Sequence, residues 1–110
     1  MLTAVQMRKR TKTVTRRLNW LHAVPGMEVL AVSKCQGLKP GEQAERFGVI
    51  RFVSVRRERL GEMANSQYGD EEARREGFPD GDGKDFIDFF CDFNDCKPSQ
   101  QVTRIEFEFV

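Results

Sequence analysis

Four phenylalanines set the clearest pattern in the chain. Phe86, Phe89, Phe90 and Phe93 recur at i, i+3, i+4 and i+7, with Asp85, Asp88 and Asp92 outside the stripe. A 3.6-residue repeat places those rings on one face, so the spacing predicts an amphipathic helix that lays four rings on a core and ends before Pro98. Ile105, Phe107 and Phe109 alternate with Arg104, Glu106 and Glu108, the period of a half-buried antiparallel strand. From Phe47 to Val55 both parities are mostly apolar: Phe47, Val49, Arg51, Val53 and Val55 on one, Ile50, Phe52 and Ser54 on the other. Such a strand belongs inside a sheet or small barrel. Glu28 to Cys35, with Val29, Leu30 and Val32, reads as a further strand after the Pro25-Gly26 turn, and Gln36 to Gln43 as a loop. Asp70 is the expected cap of a short helix from Glu71 to Glu76, with Gly77 at its left-handed end. Pro79 to Gly83 is turn-rich and reaches the phenylalanine helix through a cap, while Leu2 to Met7 is too short to classify. Strands on both sides of the helices predict an α+β fold, or a small β-barrel carrying two helices.

At 110 residues the chain is expected to form one domain, residues 1–110, with a modest core. Hydrophobic residues are 39% of the chain, an ordinary globular share that argues against a disordered tail. No uncharged stretch is long enough for a membrane helix, and no signal peptide is read at the start, so a cytoplasmic protein without membrane partners is expected. Cys35, Cys91 and Cys96 cannot all pair and are expected as free thiols in a reducing compartment. One His and no C-x-x-C pair exclude a structural zinc site. Asp80-Gly81-Asp82-Gly83-Lys84-Asp85 begins like a calcium loop but has Lys84 at its fifth position, Asp85 where Gly is needed and Cys91 at its twelfth. No cofactor is implied.

Charge changes the picture more. Residues 1–60 carry 13 Lys or Arg against 4 Asp or Glu, and residues 61–110 carry 5 against 13. A basic half suits an anionic partner such as nucleic acid; the alternative is that the halves neutralise each other across the fold. Six cations fall between Arg8 and Arg17: Arg8, Lys9, Arg10, Lys12, Arg16 and Arg17. In a turn or helix Lys12 and Thr15 share a face, and a hydroxyl beside an amine can form a nucleophile–base pair if the Lys is partly neutral. Arg16 and Arg17 would lower the Lys pKa; a carboxylate alongside would raise it. The plain reading of the same tetrad is a solvated basic turn. Trp20 could stack a base or enter the core, His22 reads as structural, and Glu76 alone reads as a surface carboxylate paired with Arg74 or Arg75.

Lys12-Thr13-Val14-Thr15-Arg16-Arg17, then Pro25-Gly26-Met27-Glu28-Val29-Leu30, Glu71 to Phe78, Asp85 to Phe90 and Val102 to Phe109 together resemble the ASCH domain family of PUA-like folds. The short Thr-Arg-Arg form looks like bacteriophage and prophage versions. The resemblance implies a small PUA-like β-barrel with helices at its rim and a cleft lined by the Lys-Thr element. It also implies binding of RNA or of a nucleotide or nucleoside; the basic half, with Arg8, Lys9, Arg10, Arg16 and Arg17, is then expected to hold phosphates and Trp20 to stack a base. One branch of the family hydrolyses the acetyl amide of N4-acetylcytidine with a Lys, a Thr and a Glu, which carry over to Lys12, Thr15 and Glu76. In that amidohydrolase Thr15 attacks the carbonyl, Lys12 is its base, and Glu76 orients the Lys or assists the leaving amine. Two departures stand out. Arg10 occupies a position where the family usually has Gly two residues before the Lys, and Ala31-Val32-Ser33-Lys34 stands where phage relatives often place an Arg-Glu pair.

Overall fold

The computed structural model describes residues 4–32, 45–78 and 81–110. The elements run α1 (Ala4–Arg8), β1 (Val14–Arg17), β2 (Glu28–Val32), β3 (Arg46–Arg59), a 3-10 helix (Leu60–Ala64), α2 (Ser66–Glu76), α3 (Gly83–Asn94) and β4 (Gln101–Phe109). The four strands form one antiparallel sheet in the order β1-β4-β3-β2. The fold is therefore α+β. Its edges, β1 and β2, are not paired to each other among the described residues, so the sheet is not closed into the expected barrel. Closure needs enough tilted strands to bring the edges together, and four strands, one of them four residues long, leave a gap. The expected loop from Gln36 to Gln43 and the end of the strand at Cys35 lie outside the described residues.

The long strand β3 does most of the shaping. Its first part, from Arg46 to Arg51, pairs with β2, and Ile50 to Arg59 pair with β4. A register shift between Phe52 and Ser54 marks a bulge at Val53. The extra residue bends the strand and resets its parity. Ile50 and Phe52 thus face the same cluster as Val55, which is of opposite parity in the sequence, while Val49 and Val53 turn outward. The apparent two-faced apolar strand is a one-faced strand with a bulge.

Two clusters fill the molecule. Met7, Ala23, Ile50, Phe52, Ile105 and Phe107 form one on the open side of the sheet, with Trp20 packed against it. Leu60, Met63, Ala73, Phe86, Ile87, Phe90 and Val102 form the other between the sheet and the helices. Within α3, Phe86 and Phe90 are almost wholly enclosed, each burial stabilising by about 1.5–3 kcal/mol. Phe89 is half-buried and Phe93 is 61% exposed, stacked on Phe89 with ring centroids 6.1 Å apart. Two of the four expected rings therefore enter the core, and Ile87 takes a third place in the cluster.

Helix α2 begins a turn and a half earlier than its charge pattern suggests. Asn65 is the cap, its side-chain oxygen accepting from the Tyr68 N–H at 3.1 Å. Asp70 is inside the helix and instead accepts from the Gly83 N–H at 3.3 Å. Gly69 and Gly83 bring α2 and the start of α3 against one backbone carbonyl. A β-carbon on either would stand 1.8 or 1.9 Å from the Met63 oxygen. Gly77 ends α2 at φ 104°, the left-handed geometry that a Cβ disfavours. Helix α3 opens on a capping box between Asp82 and Asp85. Among the described residues no helix is long and apolar enough to cross a membrane.

Candidate functional site

The Lys-x-x-Thr element runs from a turn into an edge strand. Arg10 adopts φ 58°, a left-handed conformation uncommon for a residue with a Cβ, and its guanidinium lies 4.7 Å above the Phe109 ring. Thr13 is clamped next: its N–H donates to the Arg75 carbonyl and its own carbonyl accepts from the Phe107 N–H, both at 2.9 Å. This lays Lys12 against the C-terminal end of α2, where carbonyls carry the negative end of the helix dipole. The Lys12 ammonium donates to the Glu76 carbonyl and to Glu76 Oε1, both at 2.8 Å. Both side chains are buried, so neither is the solvated basic turn nor the surface carboxylate that sequence alone suggests.

Glu76 shares its other oxygen with Arg16, whose Nη1 donates to Oε2 at 3.0 Å. Arg16 is wholly enclosed. It also donates to Glu58 Oε1 from Nε at 2.9 Å and Nη2 at 2.6 Å, and from Nη2 to Glu72. Strand register explains the crowding: Arg16, Arg104 and Arg56 stand side by side across β1, β4 and β3. Three like charges in a row require carboxylates above them. Arg104 donates to Glu72 from Nε at 2.6 Å and Nη2 at 3.0 Å. Tyr68 donates its hydroxyl to Glu58 Oε2 at 2.8 Å and accepts from Arg56. Tyr68, Glu72 and Glu76 recur every four residues on α2, a stripe that marks the buried side of this helix and the signal by which the cluster could have been found.

Thr15 is on the other side of the sheet. Strand alternation turns it away from Arg16 and into the row with Ile105 and Val55. Its Oγ1 is enclosed with no hydrogen-bond partner among the described residues, and so is Oε1 of Gln6. Lys12 and Glu76 are thus bonded to each other and neither is bonded to Thr15. The turn or helical geometry assumed for the tetrad is replaced by strand from Val14 onward, which separates the two side chains.

Burial pushes the Lys12 ammonium down from its ordinary pKa; Glu76 pulls it part of the way back, and Arg17 and Arg16 lower it again. The carboxylate alongside does not outweigh desolvation. Burial also pushes Glu72 upward, but hydrogen bonds and charge from Arg104 and Arg16 prevail and hold it at about 2.

The remaining expected contacts are dispersed. Arg8 is exposed and bonded to Glu45, Lys9 is exposed, and Arg17 is half-buried with Nη1 donating to the Arg16 carbonyl at 3.1 Å. Arg16 has its guanidinium occupied by three carboxylates and presents nothing to a phosphate. Trp20 stacks on His22 at 5.4 Å and packs on Phe52. Beyond the expected set, the end of β3 forms the wall of an open groove of about 570 Å³, lined among others by Arg57, Glu58, Arg59, Glu62, Tyr68 and Gln101. The run Arg56-Arg57-Glu58-Arg59 was the visible signal, lost because the apolar alternation stops at Val55.

No family model, curated protein or solved structure matches the chain.

Proposed function

We propose that the chain is an ASCH-like domain that binds RNA, or a nucleotide or nucleoside, around its Lys-x-x-Thr element, with Lys12 and Glu76 on the helix side of the sheet and Thr15 on the open side. The observation that carries this reading is the enclosed Thr15 hydroxyl without a partner. Leaving a buried polar group unpaired costs about 1–3 kcal/mol, which a ligand atom can recover. The left-handed Arg10 adds support, because it occupies the place where the family carries a Gly. The bend and change of partner along β3 are those of a sheet that curls, as the PUA-like barrel requires. The test is a titration of the labelled protein with cytidine, cytidine monophosphate and a short RNA, followed by amide chemical shifts. Shifts confined to residues 12–16 and 76–77, abolished by Thr15→Val, are expected. A protein whose amides there respond to none of the three ligands does not work this way.

The second reading is an amidohydrolase acting on N4-acetylcytidine-type nucleosides, favoured by the lowered pKa of Lys12. This reading requires Lys12 and Thr15, which the strand holds apart, to be brought together. A neutral Lys12 amine would then take the Thr15 proton as Oγ1 adds to the acetyl carbonyl. The adduct would collapse by breaking the C–N bond as the lysine ammonium returns the proton to the departing cytidine N4, and water would hydrolyse the threonine ester to acetate. The bond from Lys12 to Glu76 Oε1 fits the orienting role for Glu76. Cytidine formed by the wild type and lost in both Lys12→Ala and Thr15→Ala supports it, and no product at high enzyme concentration rejects it.

A further inference from the structure

Among the described residues, the groove at the end of β3 holds its charge differently from the paired arginines elsewhere. Arg51 is neutralised by Glu28 and Glu108, Arg8 by Glu45, and Arg75 by Glu71. Arg16 and Arg104 are enclosed beneath Glu58, Glu72 and Glu76. Arg57 is fixed differently. Its Nη1 donates to Thr103 Oγ1 at 2.8 Å and to the Leu18 carbonyl at 3.2 Å, while Nη2 reaches the Gln101 carbonyl at 3.5 Å. All three acceptors are neutral. They aim an exposed guanidinium without cancelling its charge, which is what a preorganised anion contact requires. Arg59 forms no ion pair among the described residues and lines the same groove. Of the two carboxylates there, Glu58 is committed to Arg16 and Tyr68, leaving Glu62 to oppose two uncancelled arginines.

The groove is also joined to the candidate site. From Glu58 in its lining the contacts run to Arg16, then Glu76, then Lys12, at 2.9, 3.0 and 2.8 Å. One carboxylate, one guanidinium and a second carboxylate therefore separate the groove from the ammonium.

We propose that this groove holds the sugar–phosphate backbone of a single-stranded RNA, with Arg57 and Arg59 as the phosphate contacts. The proposal rests on the RNA-binding reading above and moves the electrostatic contact from the N-terminal basic run to β3. An open cationic groove suits a single strand better than a duplex, because contact with backbone charge needs no fixed groove width.

Fluorescence anisotropy with a labelled mixed-sequence RNA of about twelve nucleotides, within the usual range of single-strand site sizes, tests it across a salt series. Each lost phosphate contact flattens the slope of log affinity against log salt by about 0.7. Arg59→Gln is expected to flatten it by about 0.7 and Arg57→Gln with Arg59→Gln by about 1.4, with binding weakened several-fold at physiological salt. Arg59→Gln breaks no ion pair among the described residues, so its result does not depend on the hydrogen bonds that Arg57 makes. Lys9→Gln with Arg10→Gln is the comparison. A wild-type slope in both groove variants, with a flattened slope in the Lys9 and Arg10 variant, overturns the groove and keeps RNA binding. Failure of the wild type to bind the RNA at any salt overturns both readings together.

Discussion

The two faces of the sheet solve burial in opposite ways. On the open side, Ile50, Phe52, Ile105 and Phe107 exclude water with hydrocarbon and need no partners. On the helix side, the same strands bury Arg16 and Arg104 beside Glu72 and Glu76, so each group depends on another chosen from a distant part of the chain. An apolar face tolerates any neighbour of fitting shape; an ionic one specifies which neighbour, and it carries a pH dependence that the apolar face lacks.

Removing one member from each face tests that contrast. Glu72→Ala leaves Arg104 without a carboxylate and is expected to cost about 3–5 kcal/mol at neutral pH. Phe107→Ala, which empties part of the opposite cluster, is expected to cost a similar 3–5 kcal/mol, about as much as other buried aromatic truncations. Denaturant unfolding followed by circular dichroism at neutral pH measures both. Equal cost at one pH would hide the difference, and acid separates them. Glu72 is held at about 2 against an ordinary value of 4.5, so the folded state favours its charged form. Its contribution is complete above about pH 4.5 and is lost as pH falls toward 2. The gap between wild type and Glu72→Ala should therefore narrow across that window, while the gap to Phe107→Ala stays constant. A Glu72→Ala gap that is independent of pH would contradict an ionic face.

Thr15→Val exchanges the lone unpaired hydroxyl of the apolar row for a methyl group. It is expected to stabilise by about 1 kcal/mol, read as a higher denaturation midpoint, while removing nucleoside binding. A destabilised variant would mean that the hydroxyl has a partner in the folded chain. The smallest effect is expected at Arg10→Gly. It relieves a left-handed residue, worth about 1 kcal/mol, and gives up the contact with the Phe109 ring, worth about half to all of that. A net gain below about 1 kcal/mol by thermal unfolding is anticipated, and a clear loss would show that the ring contact dominates.

The parts of this fold that were legible in the sequence are those whose cause is local. The capping box of α3, Gly77 at the end of α2, the alternation of β4 and the interior position of β3 all follow from neighbours a few residues apart. The first turns of α2 were hidden because Asp70 read as the cap, and the place of Gly69 inside the helix follows from a backbone contact that only the fold shows. The bulge at Val53 was hidden by valines suited to either face. The candidate site was half legible: Lys12 and Glu76 do meet, across 64 positions of sequence, but Arg16 and Arg104 looked like solvent-facing charges. Alternation reports which side of a strand a residue takes and says nothing of a helix, 32 to 60 residues away, that brings the compensating carboxylates.

The crossing of α2 and α3 over the Met63 carbonyl has a consequence for any survey of substitutions. A methyl group at Gly69 or Gly83 would overlap a backbone oxygen that cannot step aside. Both positions should therefore be among the least permissive in a saturation library, with even alanine depleted under selection for folded protein. In such a map these glycines would stand out as sharply as catalytic residues, although their intolerance arises from the distance between two helices. The arginines of the groove should show the reverse, accepting most residues under a folding screen and few under a screen for ligand capture.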